Sequence, residues 1–265
     1  DLVDICLFIQ PGAQYRLASY RIFQGELCNE VAALPCDSEC DPFRLEGLKV
    51  KVGEAALSTK IVNAELNLLT ELARCGYPLA SVKKRKVEVD LKEKAVAAAS
   101  CIETGPLSKF GPAIFHGLKG VRPRFIERRL AWREGEIYNP DCVEETQKRL
   151  LKTDLFSSVL VSHDEALDTL GELPMRIRFT EAKHRQLSLG VFYGTVDGPG
   201  VSVGWTHRNV RGMGEVVTLE GDLSRRYMAG LLSYKKPDFL ALDQSYRIWG
   251  ELSRENIYPY LAFTY

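Results

Sequence analysis

The feature that most constrains this chain is a change of texture at His184. Before it, helical and extended periodicities take turns; after it, apolar and polar residues alternate with a period of two and no helical stripe occurs. Leu187, Leu189, Val191 and Tyr193 alternate with Ser188, Gly190 and Phe192, and Asp197-Gly198-Pro199-Gly200 reads as a turn. Val201, Val203 and Trp205 then alternate with Ser202 and Gly204. Beyond the break at Gly212-Met213-Gly214, Val217, Leu219 and Leu223 oppose Thr218, Glu220 and Asp222. Leu242, Tyr246, Ile248 and Leu252 oppose Asp243, Ser245, Arg247 and Glu251. Such segments build a sheet with one apolar and one polar face, which suits a membrane barrel or a soluble sandwich. The runs are about 9–12 residues long, close to the 9–11 of a tilted membrane strand. The aromatics Tyr227, Tyr234, Phe239, Trp249, Tyr258 and Tyr260 fall near inferred strand ends, as interfacial girdles do. The expectation is the first strands of an antiparallel transmembrane β-barrel over residues 183–265.

The upstream part reads as repeated α+β modules. Phe110–Phe115 suggests a strand, Arg122-Pro123-Arg124 opens a short helix, and Asn139-Pro140-Asp141 starts a second with an N-cap, a first-turn proline and an acid at the positive end of the dipole. That helix presents Val143, Leu150 and Leu151, and strands follow over Phe156–His163 and Pro174–Thr180. Earlier, Tyr15–Phe23 reads as a strand, Leu45–Val50 as a short helix and Ser58–Cys75 as a longer one, ended by Gly76-Tyr77-Pro78. Val62, Leu66, Leu69 and Ala73 recur at helical spacing and are expected to face the core. Strands over Ser81–Leu91 and Lys94–Glu103 complete the same order: strand, helix, helix, strand, strand. The expected division is 1–12, the end of a truncated first module; 13–105, a second; 106–182, a third; and 183–265, the incomplete barrel. The chain opens at Asp1 in a strand-like run with neither an initiator Met nor a signal-peptide pattern, so it reads as a piece of a longer protein.

Composition narrows the function. Thirty-five Lys plus Arg balance thirty-five Asp plus Glu, which argues against a nucleic-acid binder; the run Lys83-Lys84-Arg85-Lys86 reads as a solvated strand entry. No stretch reaches 18 consecutive apolar residues, the length of a membrane helix. Of seven cysteines, Cys28, Cys36 and Cys40 cluster, while Cys6, Cys75, Cys101 and Cys142 stand singly. An oxidising compartment would allow a Cys36–Cys40 or Cys28–Cys36 disulfide, and the spacings match no zinc template.

No catalytic constellation is legible, so the expectation is a protein that is not an enzyme and takes no cofactor. His116, His163, His184 and His207 are isolated. Ser81-Val82-Lys83-Lys84 contains a Ser-x-x-Lys string without the companion motifs of that enzyme class. Gly212-Met213-Gly214 lacks the third glycine and helix of a dinucleotide loop and reads as a hairpin turn. Asp37, Glu39 and Asp41 lack calcium-loop spacing. Function then rests on backbone and shape: a small mixed sheet with helices on one face leaves an edge on which an extended chain can add as a strand.

Two stretches carry a family resemblance. The first is Leu187-Ser188-Leu189-Gly190-Val191-Phe192-Tyr193 followed by Gly204-Trp205-Thr206-His207-Arg208-Asn209-Val210-Arg211-Gly212-Met213-Gly214-Glu215. It resembles the barrel start of the outer-membrane surface-antigen (POTRA-barrel) superfamily, most closely its translocation and assembly module (TamA) branch. The second, Leu130-Ala131-Trp132-Arg133-Glu134-Gly135-Glu136-Ile137-Tyr138-Asn139-Pro140 with Gln147 and Leu155-Phe156-Ser157-Ser158-Val159, is similar to the last POTRA module of that family. The Cys28–Cys40 insertion departs from the pattern.

The resemblance implies an outer-membrane protein with POTRA modules in the periplasm. Its partners would be an inner-membrane-anchored TamB-like protein, nascent outer-membrane proteins such as autotransporters, and outer-membrane lipid. It also implies that the first barrel strand lies at the closing seam, where a client hairpin pairs along Leu187, Leu189, Gly190, Val191 and Tyr193. Gly204, Trp205, His207, Arg208, Asn209, Gly212, Gly214 and Glu215 form the family motif. Two alternatives stand within the superfamily, a general BamA-type insertase and a two-partner secretion transporter. A soluble β-rich surface or adhesive binding protein stands outside it.

Overall fold

The computed structural model describes residues 13–25, 30–31, 50–195, 197–242 and 244–255. The strand expected over Leu2–Pro11, the cysteines at 6, 28, 36 and 40, nearly all of the helix expected over Leu45–Val50, and Tyr258 and Tyr260 lie outside these residues.

The first module comprises β1 (Arg16–Gln24), β2 (Glu30–Val31), α1 (Ser58–Arg74), β3 (Ser81–Asp90) and β4 (Ala95–Glu103). Its sheet has the order β2-β1-β4-β3, with β1 parallel to β4. A register shift between Leu17 and Ser19 explains why β1 buries Leu17, Tyr20 and Ile22 rather than strict alternates. These side chains meet Ala98 and Ile102 of β4 and Ile61, Leu68 and Leu72 of α1 in one core. Burying each Leu or Ile contributes about 1.5–3 kcal/mol before entropy is counted. α1 ends where Gly76 takes φ +90° and Tyr77 N donates to Leu72 O at 2.9 Å. Cys75 and Cys101 each take part in a disulfide.

The core-facing stripe of α1 is only partly the expected one: Leu69 packs half-buried against the core. Val62 and Leu66 are exposed, whereas Ile61, Ala64, Glu65, Leu68 and Leu72 are buried. Both sets keep helical spacing, and Glu65 disguises the true one. Its buried carboxylate is satisfied by an ion pair with Arg85 on β3 and by the Ser100 hydroxyl, which donates at 2.6 Å. Burial pushes the Glu65 carboxyl up, but these two partners more than offset it and hold it below the usual range.

The second module contains β5 (Lys109–His116), α2 (Pro123–Glu127), α3 (Pro140–Leu151), β6 (Phe156–His163) and β7 (Glu172–Glu181), the full order expected. The sheet order is β5-β7-β6. α3 starts as its sequence suggests, with Asn139 Oδ1 accepting from Asp141 N at 2.9 Å. It buries Leu150 and Thr146 and leaves Leu151 partly exposed. Phe125, Ile126, Leu150, Leu155, Met175, Ile177 and Phe179 are each buried to 3% exposure or less. Gln147 Nε2 donates to Val159 O at 2.7 Å and ties α3 to β6.

Then come β8 (Arg185–Gly194), β9 (Gly198–Arg208), β10 (Val216–Ser224), β11 (Tyr227–Lys236) and β12 (Tyr246–Glu255), an antiparallel five-stranded meander in chain order. The turn expected over Asp197–Gly200 falls earlier, between Gly194 and Gly198, since Gly198–Gly200 already pair with Phe192–Gly194 in β9. Among the described residues no helix is long and apolar enough to cross a membrane, which says nothing of strands. The chain folds into two compact units: one holds β1–β4 and α1 with residues 134–141 and 165–173, the other residues 111–133, 142–164 and everything from Pro174.

Candidate functional site

In an antiparallel sheet, residues directly opposite one another share a face. Following the register across all five strands separates most side chains by polarity, with Phe192, Leu231 and Trp249 among the apolar exceptions on the polar side. Leu187, Leu189 and Val191 of β8 lie beside Trp205, Val203 and Val201 of β9. Leu219 and Leu223 of β10 continue the rows, facing Leu232 and Met228 of β11, and Tyr234 faces Ile248 of β12. The opposite face carries Ser188, Ser202, Thr206, Thr218, Glu220, Asp222, Ser233 and Glu251. The apolar residues are exposed rather than packed: Leu189 is 74% and Val191 87% accessible. Nothing among the described residues covers this face. Arg185, His207 and Lys236 stand on the apolar face at its end nearest α2, with Trp205 edge-on to His207 at 5.8 Å. Trp249 departs from the girdle expectation: it pairs with Ser233 inside β12 and lies on the polar face.

The seam residues Leu187, Leu189, Val191 and Tyr193 all point from the apolar face of β8, and Gly190 lies on the polar face opposite Ser202. β8 is an edge strand; among the described residues its other side pairs with no strand. β3 is an edge strand as well, exposed from Lys83 to Asp90. Val87 and Val89 of β3 and the Val62–Leu66 stripe of α1 are left open, with the Arg85–Glu65 pair bridging strand and helix. An extended chain laid along β3 would find main-chain groups on one side and apolar side chains on the other.

The motif residues divide into two groups. Gly204, Trp205, His207 and Arg208 lie in β9, and Asn209, Gly212, Gly214 and Glu215 build the turn between β9 and β10. Asn209 takes φ +62° and its Oδ1 accepts from Gly214 N at 3.0 Å. Glu215, 3% exposed, accepts from Arg211 N at 3.2 Å and Met213 N at 3.1 Å. The turn is thus closed by its own two polar side chains. It is seated on the second module: Arg122 N, before α2, donates to Gly212 O at 2.9 Å. Gly212 and Gly214 both have positive φ, and a Cβ on Gly214 would come within 2.9 Å of the Phe125 ring.

Two further anchors escaped the sequence reading. Arg129, 6% exposed, stacks its guanidinium 3.6 Å above the Phe125 ring, donates to Phe125 O at 3.0 Å, and forms a buried ion pair with Asp238 after β11. Glu181, at the end of β7, accepts backbone N–H bonds from Lys119, Gly120 and Val121 at 2.7–3.1 Å. Burial pushes its carboxyl up, but the three N–H donors and the neighbouring His184 more than offset that and hold it below the usual glutamate range. The β9–β10 turn is therefore held by the loop before α2 and the β11–β12 turn by Arg129 just after it. Among the described residues no group of three or more His, Cys, Asp or Glu is placed to hold a metal.

No protein-family model matches the chain. Among solved structures it is similar to BamA from Haemophilus ducreyi lacking POTRA domains 1–3, with a TM-score of 0.73 and 21% identity over 89% of this chain. The fold is that of POTRA modules leading into an outer-membrane barrel wall. The chain spans 43% of that BamA chain. A second likeness, to the POTRA3–5 segment of Haemophilus influenzae BamA, covers 64% of this chain and 63% of that one at 23% identity, with a TM-score of 0.52. In POTRA terms β3 and β6 each form one edge of their module sheets, and the meander is an unclosed stretch of barrel wall.

Proposed function

We propose that this protein is an outer-membrane assembly or translocation factor, with its POTRA modules in the periplasm and β8–β12 in the membrane. The single observation that carries this is the segregation of the five-stranded wall into an uncovered apolar face and a charged one, with the two turns at one end fixed to the last module. The disulfides of Cys75 and Cys101 fit an oxidising compartment. The proposed modules run over 13–105 and 106–182, with the barrel from 183.

In this reading the β3 edge and the β8 edge are client-handling surfaces. Main-chain pairing supplies affinity without demanding a client sequence, which suits a factor that handles many unfolded barrel proteins. The finer proposal is the TamA-like branch, with a TamB-like inner-membrane-anchored partner and autotransporters among the clients. The motif sequence from Gly204 to Glu215 supports it. A general BamA-type insertase is the second reading, favoured by the likeness in fold to BamA across the last modules and the wall.

The test combines two measurements on the intact protein. It should require detergent and change gel mobility on boiling, as closed membrane barrels do. Cysteines placed at Leu189 and Val191 should cross-link to a nascent outer-membrane protein in cells, whereas a cysteine at Ser253 on β12 should not. A freely soluble protein, or equal capture at all three positions, would refute the proposal.

A further inference from the structure

A cleft of about 540 Å³ lies between the C-terminal half of α3 and the α2-proximal ends of β9, β10 and β11, on the polar face of the wall. Its volume is that of a ligand site. Val216, Pro237 and Leu242, each half-buried, give it an apolar floor. Much of its charge is internally matched: Arg129 with Asp238, Arg149 with Glu145 at 2.7 Å, and Lys148 with Glu144 at 2.6 Å. Three cations are left. Arg208 and Lys235 both pair in register with Val216, so they stand on either side of it in a single row of the polar face. Lys152 approaches from the end of α3. Against these three, the described lining residues offer one carboxylate outside an ion pair, that of Asp154. Arg208 Nη2 donates to Gln186 Oε1 at 3.1 Å, a neutral acceptor that holds the guanidinium in place without cancelling its charge.

We propose that this cleft binds an extended acidic polypeptide segment, with carboxylates at Lys152, Arg208 and Lys235 and apolar side chains on the Val216–Pro237–Leu242 floor. The uncompensated charge calls for an anion, and the floor calls for apolar groups beside it, a combination an acidic and apolar peptide supplies. The inference rests on the assembly-factor reading only for the source of the peptide, a client or partner chain delivered to the foot of β8. Gln186 of β8, through its bond to Arg208, joins the cleft to that edge strand.

The test uses the intact protein in detergent and a short fluorescein-labelled peptide of alternating Glu and Leu, beside the same peptide with Gln for Glu. Anisotropy should show the Glu peptide binding about tenfold or more tightly than the Gln peptide, with the difference shrinking as salt rises. Lys152→Glu combined with Lys235→Glu should abolish that preference while heat-modifiable mobility is unchanged, and Lys92→Glu, in the β3–β4 turn, should leave it intact. Equal binding of the two peptides, or a preference that survives the double reversal, would overturn the proposal. So would failure of the Glu peptide together with reversal-sensitive binding of phosphatidylglycerol bicelles, which would make the occupant a lipid phosphate. Charge-dependent peptide binding by a protein that captures no client in cells would support the cleft and remove the assembly reading alone.

Discussion

Arg129, just beyond α2, and Asp238, in the turn between β11 and β12, form an ion pair in which neither side chain is more than 7% exposed. The segment just after α2 and a turn of the wall are thus joined by a largely buried contact. Removing one member leaves the other charge buried and unpaired, a loss of about 3–5 kcal/mol. Arg129→Ala should open the 237–245 turn, seen as faster hydrogen exchange at Phe239 and Gln244, whose amides otherwise bond within the chain. Arg129→Lys should recover little, because an ammonium cannot stack on Phe125 and donate to its carbonyl in the same geometry.

Glu65 and Arg85 make an asymmetric pair, since the Glu65 side chain is 5% exposed and that of Arg85 41%. Arg85→Ala strands a buried carboxylate and should cost about 2–3 kcal/mol, less than for a fully buried pair because water already reaches the arginine side. Glu65→Leu leaves Arg85 to turn to solvent and replaces a charge by an apolar group in the core, so its cost should stay below about 1.5 kcal/mol. Native-state hydrogen exchange at Leu68 and Ile102 reads both. A larger loss for Glu65→Leu would mean that the carboxylate stabilises the module beyond compensating its own burial.

The same pair explains where the sequence was opaque. Strand positions from β5 to β10 follow alternation and turn residues, and Asn139-Pro140-Asp141 is a cap legible on its own. The α1 stripe misled because Glu65 belongs inside only by virtue of Arg85 and Ser100, 20 and 35 residues away. In the candidate site, the apolar face of β8 and the turn at Gly212-Met213-Gly214 are local patterns and could be read. Arg129 and Glu181 could not, because an isolated charge does not announce that its partner is a distant turn or three loop amides. Trp249 shows the opposite limit: an aromatic residue near a strand end says nothing about which face it takes until register is known.

Glu181 gives the junction an acid limit. Its folded-state pKa lies below that of an ordinary glutamate, about 4.3, so its contribution is fully present above that value and is lost as pH falls through the lower folded-state pKa. Protection factors for the amides of Lys119, Gly120 and Val121 should be level from neutrality to about pH 5 and fall in stronger acid. Glu181→Gln should lower protection by about 1.5–3 kcal/mol at neutral pH and abolish the acid step. An acid step that persists in the variant would assign it to another group.

Leu219 and Thr218 are neighbours in β10 that face opposite sides of the wall, Leu219 between Trp205 and Leu232, Thr218 between Thr206 and Ser233. If the apolar side meets lipid, Leu219→Arg places a charge in hydrocarbon at about 2–4 kcal/mol, while Thr218→Arg adds one to a face that already carries Glu220, Asp222 and Lys235. The heat-modifiable folded form of the intact protein should therefore be lost or sharply reduced in Leu219→Arg and retained in Thr218→Arg. In a soluble sandwich the apolar face would instead be the packed core, and Leu219→Arg would destabilise the protein without detergent in the assay. The membrane reading requires more: the loss must depend on bilayer thickness, easing in shorter-chain lipid where Leu219 lies nearer an interface. A deficit equal in thin and thick bilayers would remove lipid as the partner of this face.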